Sequence, residues 1–128
     1  MAQRALDEAT LRAKTRKQFG KPIAQFQQIA AMLADSWAEL QAARLLVYRA
    51  ATMHAAKDPA AGMFSSAAKM LATESAQRII DRAVQIHGGQ GVRAGVAVER
   101  LYREIRALRI YEGTTEIQRV VLSRGVLG

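Results

Sequence analysis

The chain has 128 residues, half of them apolar and about a quarter charged, which suits one domain with a buried core and excludes a disordered chain. It contains no cysteine, which excludes disulfides and thiolate metal sites and is typical of a reducing compartment such as the cytoplasm. The formal net charge is +8, but the Lys and Arg residues form only modest clusters among carboxylates. We therefore interpret the basic residues first as parts of solvated helix faces, second as ligands for small-molecule phosphates and last as contacts with nucleic acid.

Two amphipathic helices are predicted in the first half of the chain. Small apolar residues recur on one face from Ala2 to about Lys17 and predict the first helix. The segment 19–22 ends it in a loop, because Gly20 tolerates a left-handed turn and Pro22 biases the residue before it away from helix. Apolar residues at three- and four-residue steps then predict one long helix from about residue 25 to Ala56.

Three further helices are predicted in the second half, after the break at residues 58–59. The same period runs from Phe64 to His87 and stops at the glycine-rich segment 88–91. A shorter helix is predicted around residues 98–108, and a last one around residues 117–124, which Thr114 or Thr115 would cap. Short links between helices favour an all-α fold, an up-down four-helix bundle with an extra C-terminal helix. Its core is predicted to include Trp37, Met32, Met53, Met63 and Met70.

Three glycine-containing breaks pair a helix end with polar or aromatic residues. They are residues 16–22 (RKQFGKP), 85–91 (QIHGGQG) and 111–119 (YEGTTEIQR). Each break alone is typical of an ordinary helix C-cap. The glycine-rich second break follows a helix and not a strand, so it is not a dinucleotide-binding fingerprint.

Together, the order and spacing of these breaks closely resemble the acyl-CoA dehydrogenase family. The opening AQRALDEA at residues 2–9 is also similar to the first helix of that family's C-terminal domain, and the resemblance extends from Ala2 to about Arg124. It implies a flavoprotein subunit with an N-terminal helical domain, a middle β domain and a C-terminal helical domain, of which residues 1–128 would be the last. It also implies a homo-oligomer, either a dimer or a dimer of dimers.

The resemblance implies an oxidoreductase of fatty-acid β-oxidation. In the family, an acyl-CoA loses a proton from its α-carbon and a hydride from its β-carbon, and the product is a trans-2-enoyl-CoA. N5 of FAD receives the hydride, and an electron-transferring flavoprotein then accepts the electrons.

Glu112 lies at the position of the family's commonest base, and its backbone N–H is expected to help hold the thioester oxygen. A dry pocket would raise the proton affinity of such a carboxylate. Tyr111 and Gly113 are implied to bind substrate, Gly113 by allowing its close approach.

The resemblance also implies a set of FAD contacts. Arg16 would pair with the pyrophosphate and Phe19 would pack on the flavin of the neighbouring subunit, with Gln18 beside them. Gln85 and Gly89 would receive the adenine end and the pyrophosphate. Thr114 and Glu116 would contact the adenosine part within the same subunit.

Other polar residues are predicted to have structural roles. Glu39, Glu74 and Glu104 are expected to be solvated, His87 to pack or hydrogen-bond, His54 to be at the surface and Arg103 to form a structural pair. Neither histidine has a second ligand at metal spacing, so no metal site is predicted.

Two other functions fit the same sequence, and Glu112 itself could merely begin the cap of the last helix. The chain could be a non-catalytic helical module of a flavoprotein complex, or an oxidase-type variant that passes electrons to oxygen. The sequence leaves the length and branching of the acyl group open.

Overall fold

The computed structural model describes residues 1–128 and confirms the all-α fold with five helices. These are α1 (Ala2–Thr15), α2 (Gln27–Ala55), α3 (Ala61–His87), α4 (Ala97–Leu108) and α5 (Thr115–Leu127). Each predicted helix is present, with ends that differ from the prediction by a few residues. None of the helices combines the length and apolar character needed to cross a membrane.

The loop predicted after the first helix is a small β-hairpin. Strand β1 (Lys17–Gln18) pairs antiparallel with β2 (Lys21–Pro22), and the two residues between them, Phe19 and Gly20, have φ angles of 52° and 79°. Two successive left-handed residues are what a tight two-residue hairpin turn requires, because their twist matches that of the flanking strands. The turn therefore holds Phe19 out from the body of the molecule, where it is 90% exposed.

Helix α3 lies at the centre of the fold, and each of the other four helices packs against it. The main core lies where α1 and α4 meet the C-terminal half of α3. It contains mostly alanines of α1 and mostly branched residues of α3 and α4, namely Ala5, Leu6, Ala9, Ala13, Ala76, Ile79, Ile80, Ala83, Ile86, Val98, Leu101 and Ile105. Alanines on α1 allow that helix to approach α3 closely, so the predicted small-residue face is the buried one.

The prediction that Trp37 belongs to the core is wrong, because its side chain is 60% exposed. The buried residues of α2 are Ser36, Ala43 and Ala50, at steps of seven. Trp37 follows Ser36 and is therefore turned about 100° away from this stripe. The four methionines grouped with it are only half-buried. The fully buried positions of α2 are thus small residues, while larger apolar residues of α2 pack half-buried against the main core, namely Ile29, Met32, Leu33 and Leu40.

The two histidines lie as predicted. His87 is buried on the last turn of α3, and its Nδ1 lies 2.8 Å from the carbonyl oxygen of Ala83. His54 is exposed near the end of α2. Gly88 follows His87 with a φ of 61°, which ends α3 and begins a short 3-10 helix over Gly88–Val92.

Candidate functional site

The loop between α4 and α5 contains Glu112 at a sharp turn. Glu112 and Gly113 both have left-handed φ angles, 54° and 85°, and Glu112 is one of only three non-glycine residues with a positive φ. Thr114 caps α5, since its side-chain oxygen accepts a hydrogen bond of 3.4 Å from the backbone N–H of Ile117. Of the two threonines predicted as caps, Thr114 is the one in this role.

Two side chains hold the carbonyl groups of this turn. Lys69 of α3 donates from Nζ to the carbonyl oxygen of Gly113 at 2.6 Å. The buried Gln118 donates from Nε2 to the carbonyl oxygens of Glu112 and Gly113, at 3.1 and 3.2 Å. A Cβ atom on Gly113 would lie 2.6 Å from this same Nε2, so a larger residue would displace the amide that holds the turn. Lys69 and Gln118 thus fix the backbone of Glu112 against α3.

The backbone N–H groups of this turn are free. Neither Glu112, Gly113 nor Thr114 donates a backbone hydrogen bond to another group of the chain. Uncommitted N–H groups beside a carboxylate resemble the arrangement that stabilises a developing oxyanion. The arrangement can therefore offer a hydrogen-bond donor and a proton acceptor to the same bound molecule.

Glu74 of α3 anchors the two ends of the loop, and the prediction that it is solvated is wrong. Its side chain is only 20% exposed, and its Oε1 accepts hydrogen bonds from Arg109 Nε at 2.8 Å and from the Thr115 hydroxyl at 2.7 Å. Burial raises the pKa of Glu74, but the hydrogen bonds from Thr115 and Arg109 outweigh it and lower the pKa. Glu39 is likewise partly buried, between Arg78 and Arg82.

Because its pKa is lowered in the folded chain, Glu74 contributes stability above the pKa of the unfolded chain, 4.5, and loses it as the pH falls through the folded value. We expect Glu74→Gln to lower the free energy of unfolding by about 1 to 2 kcal/mol near neutral pH. This difference should shrink as the pH falls below 4.5 and through the folded value. Urea unfolding across this pH range measures it. The control is Glu104→Gln, because Glu104 pairs with Arg100 only at 3.7 Å on the exposed surface.

Glu112 and Tyr111 are exposed, and neither side chain lines any of the five main grooves of the chain. The dry pocket predicted around Glu112 is therefore not formed by residues 1–128 alone. Glu116 is also exposed, and hydrogen bonds from its own backbone N–H and from the Thr114 hydroxyl lower its pKa. The predicted residues 111–114 and 116 thus lie together on one open loop and helix start.

A second group of predicted residues meets at the other end of α3. Arg16, Gln18 and Gly89 lie on one groove of about 440 Å³, between the end of α1 and the end of α3. The groove is lined by Arg12, Arg16, Gln18, Ile23, Ile86, His87, Gly88, Gly89 and Gln90. Two predicted residues do not line it. Gln85 is exposed on the last turn of α3, and Phe19 packs edge-on against Phe26 with ring centroids 6.1 Å apart.

The donors of this groove suit a phosphate group. Two arginines and two glutamines line it, no Asp or Glu does, and the buried Nε of Arg12 has no acceptor within the chain. Guanidinium groups bind phosphate oxygens through planar pairs of N–H donors. The residues therefore fit the diphosphate of a dinucleotide such as FAD.

The two groups of residues are far apart. Lys69 contacts the turn of Glu112, whereas His87 lines the groove of Arg16, and the helical rise puts these positions of α3 about 27 Å apart. One chain therefore does not bring Glu112 and Arg16 to one reacting centre.

A further groove, of about 720 Å³, contains none of the predicted catalytic or cofactor residues. It lies between α3 and α4 and is lined by Gln77, Arg78, Asp81, Arg82, Tyr102, Arg103, Arg106 and Arg109. Arg103 pairs with Glu99 on its own helix at 2.6 Å, which is the structural role predicted for it.

Comparison with known proteins gives a consistent result. Residues 1–127 match the family described as "Acyl-CoA dehydrogenase, C-terminal domain". A subunit of the caffeyl-CoA reductase-Etf complex of Acetobacterium woodii is 51% identical over 96% of the chain, which covers 32% of that protein.

Solved structures share the fold. Butyryl-CoA dehydrogenase from Megasphaera elsdenii matches with a TM-score of 0.96 and 39% identity over 99% of the chain and 33% of that structure. The FAD complex of PigA matches with a TM-score of 0.93 and 30% identity over 98% of the chain and 32% of that structure. The chain thus spans about a third of the length of these relatives.

Proposed function

This chain belongs to the acyl-CoA dehydrogenase family, as a C-terminal domain, and on that premise we propose that Glu112 is the base that removes the α-proton of an acyl-CoA. The observation that carries the proposal is the turn at Glu112, where a carboxylate stands beside backbone N–H groups that have no partner in the chain. A carbon acid needs both a close base and a donor for the charge that develops on the thioester oxygen. The Glu112 N–H is the donor we assign to that oxygen.

The turn is rigid enough to orient a base, because side chains from two helices hold it. Lys69 and Gln118 bind its carbonyl oxygens, and Glu74 binds residues on both sides of it. Gly113 leaves room for the substrate backbone to approach, and Tyr111 stands next to the base on the exposed side. We assign both residues to substrate binding. The pocket for the acyl group and the exclusion of water must come from elements that cover this exposed loop.

FAD is the cofactor we propose, and when bound it accepts the β-hydride at N5, so that the product is a trans-2-enoyl-CoA. Arg16, Gln18 and Gly89 would hold its diphosphate, Gln85 would receive its adenine end and Phe19 would pack on the flavin, whereas Thr114 and Glu116 would contact adenosine. The distance of about 27 Å along α3 between the two groups supports a homo-oligomer in which each cofactor touches two subunits.

The rest of the protein is also a proposal. We infer that an N-terminal helical domain and a middle β domain precede residues 1–128 in the whole protein, since the chain covers about a third of the length of its relatives. An acyl-CoA of fatty-acid β-oxidation is the proposed substrate and the cytoplasm the proposed location. An electron-transferring flavoprotein is the proposed acceptor, which the name of the Acetobacterium woodii relative supports.

The same name favours a second candidate, the reverse reaction. That relative is a subunit of a reductase complex, so the chain could serve the reduction of a 2-enoyl-CoA. The residue that removes a proton in one direction returns it in the other, so protonated Glu112 would then donate to the α-carbon. Rates measured with a saturated acyl-CoA and with its 2-enoyl counterpart, at matched acceptor and donor potentials, separate the two directions.

We expect the whole protein that contains this chain to purify with FAD, and an acyl-CoA to bleach the flavin under anaerobic conditions. Absorbance of the oxidised flavin measures both results. A colourless protein that FAD does not reconstitute would support the non-catalytic helical module instead. Turnover with oxygen alone, as fast as with an electron-transferring flavoprotein, would support the oxidase-type variant.

A further inference from the structure

Arg12 of α1 is a half-buried arginine without a partner. Its Nε is fully buried, and none of its guanidinium nitrogens donates a hydrogen bond within the chain. The other half-buried arginines each have a partner, Arg44 with Gln3 at 2.9 Å, Arg82 with Glu39 at 2.8 Å and Arg109 with Glu74 at 2.8 Å, although Nη1 of Arg82 is also buried without an acceptor. A buried donor without an acceptor is costly, and Arg12 is the half-buried arginine whose guanidinium group has no partner at all, so we look for an acceptor that the chain does not supply.

Arg12 lies on the last turn of α1, four residues before Arg16, which caps the end of that helix. Both line the groove of about 440 Å³ and also an adjoining groove of about 380 Å³, which includes Thr15 and Gln90. The first groove has no carboxylate, and the one carboxylate of the second, Glu8, is bound to Arg4 at 2.6 Å. Two neighbouring guanidinium groups repel each other unless an anion lies between them.

We propose that Arg12 is a second arginine of the diphosphate site, where it binds the phosphate group that Arg16 also contacts. The identity of the ligand rests on the proposed function, while the need for an anion rests on the unpaired guanidinium. FAD and acyl-CoA both carry a diphosphate. The proposed function assigns the diphosphate in this groove to FAD, because Arg16, Gln18 and Gly89 line it.

The test compares Arg12→Met, Arg12→Lys and Lys14→Met in the whole protein after removal of its flavin. Lys14 is the matched control, because it is an exposed cation on the same helix but about 200° away from Arg12. Calorimetric titration with FAD, inorganic pyrophosphate and coenzyme A gives three dissociation constants for each variant. Circular dichroism and thermal unfolding without ligand show whether each variant is folded.

We expect Arg12→Met to weaken binding of FAD and pyrophosphate about 10-fold to 100-fold, as for the loss of charge-assisted hydrogen bonds. Lys14→Met should leave the affinities for FAD and pyrophosphate unchanged, and Arg12→Lys should lose less affinity than Arg12→Met. Coenzyme A should bind all variants equally. Equal FAD affinity of the Arg12→Met and Lys14→Met variants would overturn the proposal. So would an unmodified protein that does not bind pyrophosphate, or a loss confined to coenzyme A.

The same experiment separates this inference from the proposed function. If Arg12 binds the diphosphate but Glu112 is not the base, FAD affinity falls in the Arg12→Met variant while bleaching by acyl-CoA does not depend on Glu112. If the reverse holds, FAD affinity is unaffected and bleaching still requires Glu112. Should Arg12→Met fail to fold, Arg12→Lys still tests the site, because it keeps the charge and loses the planar pair of donors.

Discussion

Replacement of Glu112 by Gln is expected to lower the rate of flavin bleaching by acyl-CoA by about 10²-fold to 10⁴-fold, the contribution typical of a general base. Glutamine preserves the size and hydrogen bonding of the side chain but cannot accept the α-proton. The backbone N–H of residue 112 and the contacts from Lys69 and Gln118 to the turn remain, so FAD content and acyl-CoA binding should not change. Stopped-flow absorbance of the flavin measures the rate, and calorimetry measures acyl-CoA binding.

The matched control for this variant is Glu104→Gln. Glu104 is exposed on α4 and pairs only with Arg100, so its replacement removes the same charge away from the turn. Unchanged bleaching in the Glu112→Gln variant would contradict the assignment of the base. Equal slowing in both variants would attribute the effect to net charge.

Ile80→Ala is expected to lower the free energy of unfolding by about 2 to 5 kcal/mol, the range for removal of a fully buried branched side chain. The Ile80 side chain is 0% exposed and lies in the cluster where α1 and α4 pack on α3. Its loss leaves a cavity beside α3, the helix that contacts both groups of site residues. Urea denaturation at constant m-value measures the change.

Two further variants show whether the loss of stability in Ile80→Ala comes from the packing of a buried side chain. Ile80→Val removes one methylene group and should cost only about 0.5 to 1.5 kcal/mol. Leu45→Ala changes a side chain that is 67% exposed on α2 and should cost less than about 0.5 kcal/mol. A loss for Ile80→Ala no larger than that for Leu45→Ala would show that α3 is not the centre of the stable core.

Several parts of the site could be predicted from sequence because they depend on neighbours in the chain. The glycine-containing breaks predict where helices end, and Thr114 caps α5 through a contact three residues away. Arg16, Gln18 and Gly89 do share a groove, as the family resemblance implies. Their assigned roles, like that of Glu112, stay predictions until the cofactor is tested.

Other parts could not be predicted, because they join residues far apart in sequence. Glu74 binds Arg109 and Thr115 across 35 and 41 residues, and no local pattern distinguishes it from a solvated glutamate. Lys69 reaches the turn of Glu112 across 44 residues. The unpaired state of Arg12 likewise becomes visible only when every neighbouring acceptor is in place.

The sequence by itself determined the helices, their ends and the family, since a helix needs only a repeating apolar face and a residue that stops it. The tertiary structure alone decided which face of α2 is buried, where the turn at Phe19 points and how far Glu112 lies from Arg16. These depend on how closely helices approach one another. Small residues such as Ser36 and Ala43 set that approach, so the large Trp37 that hydropathy favours for the core is left outside.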